Sequence, residues 1–289
     1  NAARGLGWAA VNTGSFTSLA RIAPPSRRGE ASGYYSLFQA LAATVGPPAA
    51  LAWWAATGRV SDVFVGAALA ALLAAALARR LRTGDVSLRG LSRQRDRTRQ
   101  PIELVARSSR LPALLVVLIM TTQPAVLGFF PLYAHASGIG AGTVTAFYVA
   151  GGSSALVGRA VFGRVSDGVG RGRVLVAGLA AMTASQALLP FSTRTTVVLF
   201  VAVLYSGGQG MAVTALTSMA IERADKRRIG SAMATYSAAY QVGLGIGGLA
   251  AGALIGLAGY TLMYLTMVAF VLAALAVVVV HRHDLSPSV

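Results

Sequence analysis

Nine long apolar blocks, parted by short polar gaps, limit this chain more than any other feature. They lie at about 3–20, 31–53, 60–79, 111–134, 142–162, 174–191, 195–220, 230–256 and 260–280. Most run roughly 18 to 25 residues, the length a helix needs to cross a ~30 Å hydrocarbon layer. The blocks show neither the period-two alternation nor the ten-residue spacing of a membrane barrel. Composition agrees, with 55% of residues hydrophobic and only 12% charged, against about a quarter charged in soluble domains. The fold class expected is an all-α, polytopic membrane protein.

The same composition removes several chemistries. There is no cysteine, which excludes disulfides and thiolate metal sites. His135, His281 and His283 form no cluster, so no metal or cofactor is expected. No nucleophile–base pair stands out either, and an enzyme is not expected.

The net charge of +16 invites a nucleic-acid reading, which the placement of the charges opposes. The gaps at 21–30, 79–110, 159–173 and 222–228 hold 21 of the 25 Lys and Arg residues. The alternate gaps hold only Arg59 and Arg194, with Arg4 near the first residue. Alternation of this kind is the positive-inside pattern, and it puts the basic gaps and the C-terminus in the cytoplasm of a plasma-membrane protein. A nucleic-acid surface would instead gather its arginines on one face. The longest polar stretch, 83–110, is expected to be a cytoplasmic basic linker attracted to the lipid surface. It divides the chain into 1–82 and 111–289.

An offset of 201 residues aligns the chain with itself. Arg27, Gly29, Ala31, Tyr35, Ser36, Gly46, Ala49, Ala50, Ala52 and Gly58 fall on Arg228, Gly230, Ala232, Tyr236, Ser237, Gly247, Ala250, Ala251, Ala253 and Gly259. Repeated halves are common in transporters. In this register blocks one to three match blocks seven to nine, and blocks four to six have no counterpart. The expectation is a twelve-helix protein in two halves of six, of which the first three helices lie about a hundred residues upstream of Asn1.

The stretch "GRVSDGVGRGR" (163–173) resembles a signature of the major facilitator superfamily, G-x-x-x-D-x-x-G-R-[KR], through Gly163, Asp167, Gly170 and Arg171, followed by Arg173. The resemblance implies two helical bundles that rock about a shared cavity, with this stretch as a cytoplasmic latch. Asp167 would pair with Arg171 or cap a helix of the other half, while Gly168, Gly170 and Gly172 allow a tight reversal. The alternative is that Asp167 and Arg171 only stabilise one turn. Gly33, Gly46 and Pro47 partly fit the motif g-x8-G-x3-G-P-x2-G-G of proton-coupled exporters, with Ala42, Ala50 and Leu51 in place of its other glycines. That resemblance implies an antiporter; the alternative is an ordinary kinked, closely packed helix. "GLGIGG" (243–248) has the spacing of a dinucleotide loop, yet it sits inside an apolar block, where helix packing is the better reading.

Polar and aromatic residues inside apolar blocks are the candidates for a substrate cavity: Asn12, Thr13, Gln39, Gln123, Tyr148, Gln209, Tyr236, Tyr240 and Gln241. All nine acids fall in gaps or at block ends, so a proton-coupling carboxylate would lie upstream or be absent. The partners expected are a small-molecule substrate, protons and the lipid bilayer, with no nucleic acid and a monomeric chain. A nutrient importer and a non-transporting membrane sensor are the competing readings.

Overall fold

The computed structural model describes residues 28–80, 109–191, 193–223 and 229–281, together with positions 7, 11 and 15; within these, the side chains at 28–37, 39, 40, 43, 44, 80, 159–169 and 229–231 are outside the description. The chain divides into two compact units, Asn1–Ile102 and Glu103–Val289. The block expected at 3–20 and the linker expected at 83–110 lie outside the described residues, apart from positions 7, 11 and 15 of the former and 109 and 110 of the latter.

The first unit contributes α1 (Arg28–Thr57) and α2 (Val60–Arg80). Gly58, at φ 67°, makes the reversal between them. Pro47 and Pro48 both lie inside α1, which continues through them as one helix. Trp53 lays its ring on α2 at Gly66, where a Cβ would come within 3.1 Å of the indole. The apolar face of α2 is bare, with Phe64 71% exposed and Leu69, Leu72 and Leu73 similarly open. Such a surface is unsuited to water and suited to lipid tails.

The second unit is a helical bundle. It begins with α3 (Arg110–Gln123), continues through a π-helical turn at Pro124–Gly128 into α4 (Phe130–Ala136), and returns in α5 (Ala141–Val169). Then come α6 (Arg171–Leu188) with a 3₁₀ turn at Leu189–Phe191, α7 (Thr195–Glu222), and α8 (Ile229–Val280). At ~1.5 Å per residue, the 52 residues of α8 are well over twice what one crossing requires. Gly259, at φ 77°, breaks it where the sequence places the boundary between its last two blocks.

Close backbone approach decides how these helices pair. Without a hydrophobic drive between apolar helices in lipid, small residues let dispersion contacts do the work. A Cβ on Gly178 would stand 2.6 Å from the carbonyl oxygen of Gly208, and one on Gly208 would stand 2.6 Å from that of Gly178, so α6 and α7 meet main chain to main chain. Along the parallel pair α5–α7, Gly151 faces Ser206, Gly158 faces Gly207, and Ser154 donates to the Val203 carbonyl at 2.7 Å. On the parallel pair α3–α8, Gly243 sits against the Val117 carbonyl and Gly247 against that of Thr121. These last two glycines belong to "GLGIGG", and their work is helix packing.

Five described helical stretches are long and apolar enough to cross a membrane: Val60–Arg79, Arg110–Gly128, Arg171–Phe191, Thr195–Glu222 and Ala232–Val280. Helix α1 carries Glu30, two prolines and several glycines, and α5 carries Arg159, Arg164 and Asp167 in its last third.

Candidate functional site

The stretch 163–173 takes a tighter form than its sequence suggests. Helix α5 runs on to Val169, so Gly163, Asp167 and Gly168 are helical, and α6 starts at Arg171. The whole reversal rests on Gly170, at φ 97° and ψ 134°. Gly172 is already helical and carries none of the turn. Left-handed φ costs an ordinary residue roughly 1–2 kcal/mol, which explains glycine here.

Arg171 forms an ion pair with Glu222, the last residue of α7. Asp167 was expected to pair with Arg171 or to cap a helix of the other half, and Glu222 was not among the expected partners; the side chain of Asp167 lies outside the described residues. Helices α6 and α7 are antiparallel, which brings the start of one beside the end of the other. The acid at the end of an apolar block, on the arginine-rich side, was the available signal. Arg173 is exposed. On α1, a Cβ at Gly46 would meet nothing within 4 Å. Gly33 and Pro47 lie in the same helix.

The cavity candidates separate into groups. Asn12 and Thr13 lie outside the described residues, as does the side chain of Gln39. Tyr148 is occupied by the backbone: its hydroxyl donates to the Leu127 carbonyl at 2.6 Å. That carbonyl would ordinarily accept from the residue four places on, but residue 131 is proline and has no N–H. Within a bilayer such an orphan needs a partner, and Tyr148 supplies one. The bond gives Tyr148 a structural role in the helix packing.

Tyr236 is also engaged, its hydroxyl 3.3 Å from Thr217 Oγ1 and 3.4 Å from the Val213 carbonyl, buried between α7 and α8. The remaining polar residues gather around a bond that the sequence did not reveal. Thr122 Oγ1 donates to the Ile119 carbonyl at 2.8 Å, so the 3.1 Å contact between Thr122 and Tyr205 is a bond donated by the tyrosine. It joins α3 to α7 in the core of the second unit. Gln123 follows Thr122 directly, and Gln209 is buried one turn beyond Tyr205. Tyr240 lies on α8. Tyr240 and Gln241 are half-buried. The bond between Thr122 and Tyr205 is uncharged, and Gln123 and Gln209 stand beside it in sequence on the same two helices. Tyr205 was legible only as an aromatic four residues before Gln209, a spacing that shares a helix face.

No group of three or more His, Asp or Glu side chains fit to hold a metal occurs among the described residues. The sequence profile of the Major Facilitator Superfamily matches this chain in two stretches, residues 2–167 and 144–288, which together span nearly all of it.

Proposed function

This chain belongs to the Major Facilitator Superfamily, and we propose that within that family of secondary transporters it exports small amphipathic organic compounds in exchange for protons. The observation that carries the direction of transport is Gly46–Pro47 in mid-α1, with Gly33 one stretch earlier. By the 201-residue repeat Gly46 corresponds to Gly247, which packs against a neighbouring backbone. Gly46 has open space around it among the described residues, and the glycine–proline pair leaves room there for another helix to approach closely.

In this reading Gly163, Asp167, Gly170, Arg171 and Arg173 act as a latch that stabilises one of two states and opens as the halves rock. The Arg171–Glu222 pair supports it, because it ties the turn to the end of a second helix. Gln123, Gln209, Tyr240 and Gln241 are the substrate-facing residues of the second unit, and Asn12, Thr13 and Gln39 those of the first. The chain acts as a monomer in the plasma membrane, with its basic loops and C-terminus in the cytoplasm. A second reading, import of a hydroxyl-rich nutrient, draws support from the uncharged amide and phenol set around Tyr205.

Purified protein in proteoliposomes under an imposed pH gradient distinguishes the two. Movement of an amphipathic dye against its gradient, abolished by a protonophore, is the expected result. Gradient-independent uptake of a neutral sugar, without dye movement, would replace export by import.

A further inference from the structure

We infer that the second unit consists of two packed sets of helices, α3, α4 and α8 in one and α5, α6 and α7 in the other, which shear past one another along a seam of tyrosine hydroxyl bonds. Among the described residues, close approaches of glycine to a neighbouring backbone lie inside the sets. A Cβ on Gly243 of α8 would stand 2.7 Å from the Val117 carbonyl of α3, and one on Gly158 of α5 would stand 3.2 Å from the Gly207 carbonyl of α7. Gly178 of α6 and Gly208 of α7 meet in the same way. Tyr133 of α4 stands edge-on to Tyr264 of α8, with centroids 5.3 Å apart, inside the first set.

Tyrosine hydroxyls run from set to set. Tyr205 of α7 bonds to Thr122 of α3 at 3.1 Å. Tyr148 of α5 donates at 2.6 Å to the Leu127 carbonyl, in the π-helical turn that follows α3. Tyr133 of α4 donates at 3.1 Å to the Leu189 carbonyl, in the turn that follows α6. The Tyr236 hydroxyl of α8 lies 3.3 Å from Thr217 Oγ1 and 3.4 Å from the Val213 carbonyl, both on α7. Each set supplies two of these tyrosines, so the seam is bonded from both sides. Beside it, Phe130 of α4 lies flat on Phe147 of α5, with centroids 3.8 Å apart and planes 17° from parallel.

The two kinds of contact differ in what they permit. Sliding a helix along a glycine seam brings a side chain to a place where only hydrogen fits, which a close-packed interior resists. A tyrosine hydroxyl sits at the end of a long side chain, and one hydrogen bond makes only a modest net contribution. A small turn of the ring follows a displaced acceptor, or lets it go. Flat, stacked rings slide in the same sense. Helix shifts of about 1–2 Å are the usual scale of shear between packed helices, and these side chains reach that far. Such shear needs no particular substrate, so it is independent of the direction of transport.

The chain has no cysteine, so pairs of spin labels can be introduced without background and their separation measured by double electron–electron resonance in lipid nanodiscs. Leu114→Cys with Leu257→Cys reports on the first set, and Val157→Cys with Phe191→Cys on the second. Val157→Cys with Leu257→Cys reports across the seam; all four positions are exposed. A chain carrying Tyr133→Phe, Tyr148→Phe, Tyr205→Phe and Tyr236→Phe is expected to shift or broaden the distance across the seam by about 2 Å and to leave both distances within the sets unchanged. Tyr205→Phe and Tyr236→Phe, made singly, are expected to act in the same sense at smaller size, which keeps the test open if the fourfold variant does not fold. A distance across the seam that stays fixed in the folded variants, or distances within the sets that change as much, overturns the inference.

Discussion

The hydroxyl of Tyr148 lies 2.6 Å from the carbonyl oxygen of Leu127, the acceptor that Pro131 leaves without its helical partner. One side chain on α5 thereby makes good a break in the α3–α4 segment, where Pro124 starts the π-helical turn and Phe129 donates back to its carbonyl at 2.9 Å. Tyr148→Phe should cost about 1–2 kcal/mol of stability. In a Pro131→Ala background the helix N–H returns, and the same substitution should cost little. Thermal unfolding of the four variants in detergent checks the cycle; equal costs in both backgrounds would show that the tyrosine has another role.

The meeting of Gly178 and Gly208 leaves no space for a methyl group on either residue. Gly208→Ala should lower stability by about 1–3 kcal/mol through forced separation of α6 and α7. Gly245→Ala offers the contrast, since a Cβ there meets nothing within 4 Å. It should be neutral or stabilising by up to ~1 kcal/mol, as expected for alanine in an open helical position. Matched melting curves of the two variants give the comparison.

The pair Arg171–Glu222 is partly exposed, with 22% and 57% of the respective side chains accessible. Its contribution is accordingly small, about 0.3–1 kcal/mol of coupling. A double-mutant cycle with Arg171→Gln and Glu222→Gln should return that value at low salt and a smaller one in molar salt. Coupling that does not weaken with salt would mean that the two residues act through packing.

The lack of cysteine in the chain permits a direct test of topology. Ser137→Cys, between α4 and α5, should react with an impermeant thiol reagent added to intact cells. Arg173→Cys, beside the Gly170 turn, should react only after the membrane is opened. The reverse pattern would invert the assignment drawn from the arginine count.

Much of the helical frame was legible because length and apolarity are local properties. The runs 60–79 and 195–220 correspond closely to α2 and α7, and the division between the last two blocks falls at the Gly259 break. The turn at 163–173 was legible as a reversal but not in its detail. Gly168, Gly170 and Gly172 look alike in sequence, and only the phase of the two helices selects Gly170. Glu222 was missed as the partner of Arg171 because the pairing depends on which helices lie side by side across 51 residues. The bond of Tyr148 to Leu127 depends on the same thing. Pro131 announces an orphaned carbonyl at Leu127, yet nothing local says which helix will supply the hydroxyl.

The turn at Gly170 also fixes how force passes through this part of the molecule. A joint one residue long offers only the two dihedral angles of Gly170, so any tilt of α5 beyond what they absorb passes to α6. Through the glycine seam it is then handed on to α7. The three helices would respond as a single lever, and lengthening the joint by a few flexible residues would turn that lever into three loose rods.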